Sequence, residues 1–141
     1  AIKDTIPMGS DAIAGALSEH YGKLFQYAGR NDLEFAGMPM AITHAWDSTQ
    51  WIFEAALPVA SKGKTAPEGE IYFTTTPSGQ MVHTTHLGPY EEVEPVYNEI
   101  MAYIQKNGYR ISGNSFEVYA NDPTKVKPEE IRTEIYFPVT K

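Results

Sequence analysis

The stretch Thr133-Glu-Ile-Tyr-Phe-Pro-Val139 is rich in β-branched and aromatic residues, which predicts a β-strand near the end of the 141-residue chain. An earlier stretch matches it. An alignment of the sequence with itself at an offset of 80 residues matches Leu57-Pro-Val59 with Phe137-Pro-Val139 and Glu54 with Glu134. Few identities repeat, but the pattern of elements does, so the sequence predicts two copies of one unit.

Each half shows the same order of predicted elements: strand, helix, strand, strand. In the first half we expect a strand at residues 1–8, a helix at 10–28, and strands at 38–46 and 50–57. In the second half we expect a hairpin of strands 70–76 and 80–85, a helix at 90–107, and strands at 116–121 and 133–139. The length suits one domain, with module one at about 1–59, a polar connector at 60–69 and module two at 70–141.

The composition argues against several classes of function. The absence of cysteine removes disulfides, Cys-ligated metals and thiol nucleophiles, and it fits a cytoplasmic protein. Eleven Lys and Arg against eighteen Asp and Glu give a net charge of −7, with the basic residues scattered, so we expect no direct contact with nucleic acid. No apolar run approaches the roughly 20 residues of a membrane helix, so we expect no membrane partner.

Several motifs of the second half follow one another in an order and spacing that GyrI-like domains share. They are His86-Leu-Gly-Pro-Tyr90, Gly108-Tyr109, Phe116-Glu-Val-Tyr119, Asn121-Asp-Pro123, Pro128-Glu-Glu130 and the stretch 133–139. Each motif alone is common, whereas the ordered set is specific. Gly37-Met-Pro39 and Leu57-Pro-Val59 extend the match to most of the chain. The chain therefore resembles the GyrI-like family, which includes the AraC-type effector-binding domains of bacterial transcription activators.

The resemblance implies an α+β fold of two pseudo-symmetric βαββ modules whose antiparallel sheets form a ligand cleft between them. In multidrug-sensing regulators of this family, a glutamate in the Glu-x-Tyr strand meets the positive charge of lipophilic cations. That position is Glu117 here. Other members inhibit DNA gyrase, and some stand-alone members hydrolyse cyclopropane-bearing genotoxins. A DNA-binding region could precede Ala1 in a longer protein.

Glu117 is the residue that we expect to carry the chemistry. In a strand it shares a face with Tyr119, while Phe116 and Val118 face the other way, and this apolar pair suggests that theirs is the packed face. Among aromatic rings the ionised carboxylate is costly unless a cation or a hydrogen-bond donor meets it. It can then serve as counter-ion for a cation or, with a raised pKa, as a general base. The alternative is an ordinary solvated strand residue.

The chain has more aromatic side chains than a small core needs, with nine Tyr, six Phe and two Trp. Their flat apolar faces suit planar or cationic ligands. Besides Glu117, we expect the ligand site to include Tyr119, Tyr90, Tyr136, Trp46, Trp51 and Phe73. Tyr97 and Tyr103 are assigned to helix packing or a solvent face. Glu54 and Glu134 could approach the cleft, but an ordinary strand position explains them as well.

We expect neither a metal nor a cofactor. His83 and His86 are three residues apart on a strand and so point to opposite faces, while His20 and His44 lack a partner at a ligand spacing. There is no glycine-rich phosphate loop and no serine in a nucleophile-elbow context. His86 is expected to orient the turn that begins the second helix.

Three hypotheses follow. The first is a binding module for small hydrophobic, possibly cationic, organic molecules, acting as an effector sensor or as a stand-alone binder. The second is a hydrolase in which Glu117 activates a water to open a strained ring while Tyr119 or another tyrosine donates a proton. The third, ranked last because the negative charge is modest and unclustered, is a gyrase-binding module.

Overall fold

A computed structural model describes residues 1–7, 10–61, 65–89, 92–122 and 124–141. The chain divides into two compact units, residues 1–76 and 77–141. Every strand pairing described within a unit is antiparallel, and each unit carries one long helix, so the predicted α+β class is confirmed. Neither helix in these segments has the length and apolar character needed to cross a membrane.

The first unit is a three-stranded sheet with one helix. Its elements are β1 (Ile2–Pro7), α1 (Ser10–Arg30), β2 (Met40–Trp46) and β3 (Gln50–Ala56). Strand β3 is central, since it pairs with β1 on one side and β2 on the other. The helix forms because Leu17, Leu24 and Ala28 recur on one face, and all three are buried.

The β2–β3 hairpin closes on an aspartate turn and contains a bulge. The Asp47 carboxylate accepts hydrogen bonds from the main-chain N–H groups of Thr49 at 2.7 Å and Gln50 at 2.9 Å. Such a carboxylate replaces a main-chain partner and fixes the turn. The register shifts between Thr43 and Ala45, so His44 is the extra residue of a β-bulge.

The second unit repeats this connectivity with one addition. Its elements are β4 (Met81–Leu87), α2 (Glu94–Lys106), β5 (Arg110–Ile111), β6 (Phe116–Tyr119), a short 3-10 helix (Pro128–Glu130) and β7 (Arg132–Thr140). Strand β7 is central, between β4 and β6, and also pairs with the added strand β5. The βαββ order of each unit agrees with the sequence repeat. The pseudo-twofold relation and the cleft between modules stay predictions.

The core of the second unit lies between α2 and β7. Ile100 and Ile104 pack against Ile135, Phe137 and Val139. The helix has Pro95 in its first turn, where the missing N–H costs nothing, and it ends at Asn107 and Gly108 as the sequence predicts. Gly108 has a φ of +72°, a conformation that glycine adopts without steric cost.

One predicted element is wrong. Residues 70–76 do not pair with the strand that follows, and the described partner of that strand, β4, is β7. Tyr72 exchanges main-chain hydrogen bonds with Ala1, so this segment belongs to the first unit. The threonines at 74–76 give it a strand-like composition, but composition does not select the neighbouring chain. Strand β5 was not predicted, because two residues are too few to show a period.

We predict that Ile135→Ala lowers the free energy of unfolding by about 2–5 kcal/mol, because the side chain has 0% exposure and its removal leaves a cavity against α2. Urea denaturation followed by circular dichroism measures the loss. The matched control is Ile111→Ala, whose side chain is 46% exposed and which should change the unfolding free energy by about 0.5 kcal/mol or less. Equal losses in the two variants would contradict this description of the core.

Candidate functional site

The carboxylate of Glu117 lies between two tyrosine hydroxyls. Tyr97 of α2 donates a hydrogen bond to Oε1, and Tyr119, two residues along β6, donates to Oε2 at 3.1 Å. Glu117 stands opposite Ile135 in the β6–β7 register, and Ile135 packs against α2. Because residues opposite each other in a sheet share a face, Glu117 and Tyr119 lie on the face that α2 covers.

This orientation reverses the expectation for strand β6. Phe116 and Val118 were expected to face the packed side, but the helix covers the face of Glu117 and Tyr119. Phe116 is nevertheless buried, since its ring stacks on Tyr136 with centroids 4.8 Å apart. Both faces of the strand are therefore covered, and alternation of apolar and polar residues could not identify the helix-bearing one.

Desolvation dominates the electrostatics of Glu117. The surrounding protein raises the pKa of its carboxyl, although hydrogen bonds from Tyr97 and Tyr119 and the nearby His86 act in the opposite direction. Burial, followed by the charge and the hydrogen bond of Glu117, raises the pKa of Tyr97, so this phenol stays neutral. The neighbours stabilise the carboxylate only in part. A carboxyl with a raised pKa can hold a proton, accept one from a bound molecule, or form an ion pair with a cation.

Tyr97 belongs to the candidate site, although its place in the sequence predicts only helix packing or a solvent face. It was assigned to helix packing because it lies in the apolar stripe of α2, beside Ile100 and Ile104, and its ring does pack edge-on against Phe137. A signal was nonetheless present. A phenol within an apolar stripe must find a hydrogen-bond partner when it is buried. The sequence could not show that Glu117 is that partner.

The other aromatic residues expected at the site are dispersed. Tyr136 lies on the opposite face of the sheet, stacked between Phe116 and His83. Trp46 and Trp51 stand opposite each other in the first unit, where Trp46 is 68% exposed and Trp51 stacks on Phe53. Phe73 contacts the ring of Tyr27. Tyr90 lies outside the described residues. Among these predictions, the structure brings Glu117 and Tyr119 together.

Glu54 and Glu134, which the repeat relates, are buried and well paired. Glu54 accepts hydrogen bonds from His44, the bulged residue, and from Tyr72. Glu134 accepts them from His83, Arg132 and Thr85, the last at 2.7 Å. Desolvation opposes ionisation of both, but these donors outweigh it and lower the pKa of each carboxyl. Both are ionised structural groups with their donors in place.

The remaining polar features have local roles. A His86 ring nitrogen donates to the main-chain carbonyl of Pro89 at 2.9 Å, so His86 does orient the turn before α2 as predicted. Within the described segments, no group of three or more His, Asp or Glu side chains is arranged to hold a metal ion. The chemistry of this site therefore rests on Glu117 and its two phenols.

Comparison with solved structures places this geometry in context. The C-terminal domain of EcmrR is 25% identical and superposes with a TM-score of 0.78, covering 99% of this chain and 89% of that one. An EcmrR–DNA complex matches at 24% identity and a TM-score of 0.76 over 52% of its chain, so this chain spans about half of that protein.

Two less similar structures share the fold over 99% of this chain. A hydrolase from Listeria innocua is 16% identical, with a TM-score of 0.64 and 85% of its own chain covered. A structure of SAV2435 bound to tetraphenylphosphonium is 19% identical, with a TM-score of 0.57 and 86% of its own chain covered. The chain has no significant match among curated proteins.

The sequence match agrees with the structural one. The family model of the GyrI-like small molecule binding domain matches residues 2–140. The match covers both units, whereas the strongest motifs lie in the second. The protein therefore belongs to the GyrI-like small-molecule-binding domain family.

Proposed function

We propose that this domain binds a hydrophobic organic cation with Glu117 as the counter-ion, and that it acts as the effector-sensing domain of a transcriptional regulator or as a stand-alone binder. The observation that carries the proposal is the incomplete pairing of Glu117. Its hydrogen-bond donors are two neutral phenols, and within the described part of the chain no Lys or Arg forms an ion pair with it.

A cationic ligand supplies the positive charge that these neutral phenols lack. The ionised carboxylate is disfavoured by desolvation, and a positive charge close to it offsets that cost. Aromatic faces contribute a further attraction of about 0.5–2 kcal/mol to a cation. A hydrophobic cation is favoured over a hydrated one because it gives up little solvation when it leaves water. The ligand class follows from charge and aromatic surface together.

The comparisons support the same ligand class and context. The family is defined by small-molecule binding. SAV2435 was solved with tetraphenylphosphonium, a permanent lipophilic cation, and EcmrR was solved on DNA. These findings support an effector role that couples ligand binding to a DNA-bound partner region, with this chain itself contacting the ligand.

We predict that Glu117→Gln weakens the binding of tetraphenylphosphonium by about tenfold or more, because the amide keeps the shape and the Tyr97 hydrogen bond but removes the charge. Isothermal titration measures both affinities. Glu129→Gln, an exposed change that removes the same unit of charge, should bind as the parent does. A loss shared by both variants would assign the effect to the net charge and contradict the counter-ion role.

The same site should respond to pH. Because the pKa of Glu117 is raised, protonation removes the counter-ion at a higher pH than the roughly 4.3 of an ordinary glutamate. We predict that affinity for tetraphenylphosphonium falls as the pH drops through this raised pKa. Tyr97→Phe removes a hydrogen bond that lowers this pKa, so the fall should begin at a higher pH. A parent whose profile matches that of Glu117→Gln would refute the assignment.

Hydrolysis is a second candidate function, favoured by the hydroxyl of Tyr119 at 3.1 Å from the Glu117 carboxylate. With its raised pKa, Glu117 can take a proton from a water that attacks a strained ring, while a tyrosine protonates the leaving atom. We expect turnover, if this candidate holds, to yield more than one equivalent of ring-opened product per protein from a cyclopropane-bearing alkylator. The product is quantified by chromatography. Product capped at one equivalent, or unaffected by Glu117→Gln, would eliminate it.

A further inference from the structure

A cavity of about 600 Å³ lies in the second unit between α2 and β4, away from Glu117. Its apolar wall is formed by Val82, Val96, Ile100, Tyr103 and Tyr109. Glu99 is the acidic side chain on the wall, and within the described segments it forms no ion pair. The volume is that of a ligand pocket or of a groove for several side chains.

The floor of this groove is an open strand edge. In the second unit, β4 pairs with β7 on one side, and no described strand of this unit pairs with the other. Val139 donates its N–H to the carbonyl of Gln80 at 2.9 Å, which identifies this residue pair as a hydrogen-bonded one. Since such pairs alternate in an antiparallel ladder, the main-chain groups of Met81, His83 and Thr85 point away from β7.

The first unit shows how the equivalent groove can be filled. The positions 80 residues before Met81 and Tyr103 are Ala1 and Lys23. Tyr72 exchanges two main-chain hydrogen bonds with Ala1, at 2.8 and 3.0 Å, and Glu70 forms an ion pair with Lys23 at 3.1 Å. Glu70 and Tyr72 therefore lie against α1 and against the residue that precedes β1.

The geometry points to the β4–α2 groove as the docking site for an extended segment of a partner protein that adds a strand along Met81 to Thr85. Apolar side chains of the segment enter between Val82 and Ile100, and a Lys or Arg of the segment pairs with Glu99. This is strand addition to a sheet edge, in which main-chain bonds supply affinity and side-chain pockets supply specificity.

Charge complementarity selects a basic partner. In the first unit the helix supplies a cation, Lys23, and the segment supplies an anion, Glu70. In the second unit Tyr103 occupies the position of Lys23, and Glu99 occupies the position of Glu19, which pairs with Lys23 at 3.0 Å in the first unit. Glu99 therefore stands on the wall without that cation, and the net charge of −7 also favours a basic segment. An acidic segment like 70–73 itself is disfavoured.

The probe is a synthetic peptide with the sequence of residues 69–76 in which Glu70 is replaced by Lys. Titration into the ¹⁵N-labelled protein should shift the amide signals of Met81, His83 and Thr85. Met81→Pro removes an outward N–H without touching the β7 ladder, and it should weaken binding by about tenfold or more. The matched control, Met81→Ala, keeps the N–H and should retain binding.

A charge reversal gives a second test that does not depend on how well the proline is tolerated. Glu99→Lys should weaken binding of the Lys peptide and strengthen binding of the peptide with the native Glu70. The proposal is overturned if the amide signals of β4 do not move at about 2 mM peptide. It is also overturned if the parent and Glu99→Lys bind the Lys peptide and the native Glu70 peptide with equal affinities. A peptide-free dimer that Met81→Pro dissociates would instead assign the edge to a second copy and would also overturn it.

Discussion

The packing of α2 on β7, which brings the Tyr97 hydroxyl to the Glu117 carboxylate, is the interaction on which the candidate site depends. A carboxylate in this position is stable only if something compensates for the water that it has lost. Two phenols do so in part, and desolvation outweighs them, so the pKa of Glu117 is raised. The apolar packing of α2 on β7 places Tyr97 over the strand. The stability of that core and the geometry of the candidate site are therefore coupled.

Comparison of the half-buried Glu117 with the buried Glu54 and Glu134 shows that burial alone does not raise the pKa of a carboxyl. Glu54 and Glu134 are each only 7% exposed, yet their donors include histidine and, for Glu134, arginine. Their pKa values are lowered, whereas that of Glu117 is raised. Desolvation has the largest effect on the pKa of Glu117 and its two phenols offset it only in part, whereas the neighbours of Glu54 and Glu134 outweigh desolvation. A carboxylate whose donors are neutral phenols is only partly stabilised in its ionised form, and a cationic ligand can supply the missing positive charge.

Much of the fold could be predicted from the sequence because its signals are local. The apolar spacing of Leu17 and Leu24 and the stop at Gly108 depend on near neighbours, and both helices are found where they were expected. Residues 70–76 were misassigned because strand pairing is a long-range choice. The candidate site likewise combines residues that a local motif identifies with one that it does not. Glu117 and Tyr119 follow from one motif, whereas Tyr97 comes from another element and required the packed structure.

The bonds between Tyr72 and Ala1 have a consequence for solubility. A strand edge with free main-chain groups is a template for aggregation, and proteins protect such edges with covering segments. Here the segment around Tyr72, which belongs to the first unit, covers the chain just before β1. Proteolytic cleavage next to Tyr72 would therefore leave the first unit folded but would remove the cover from this end of its sheet. A segment that bonds to the end of a strand in this way lowers the chance that another chain pairs there.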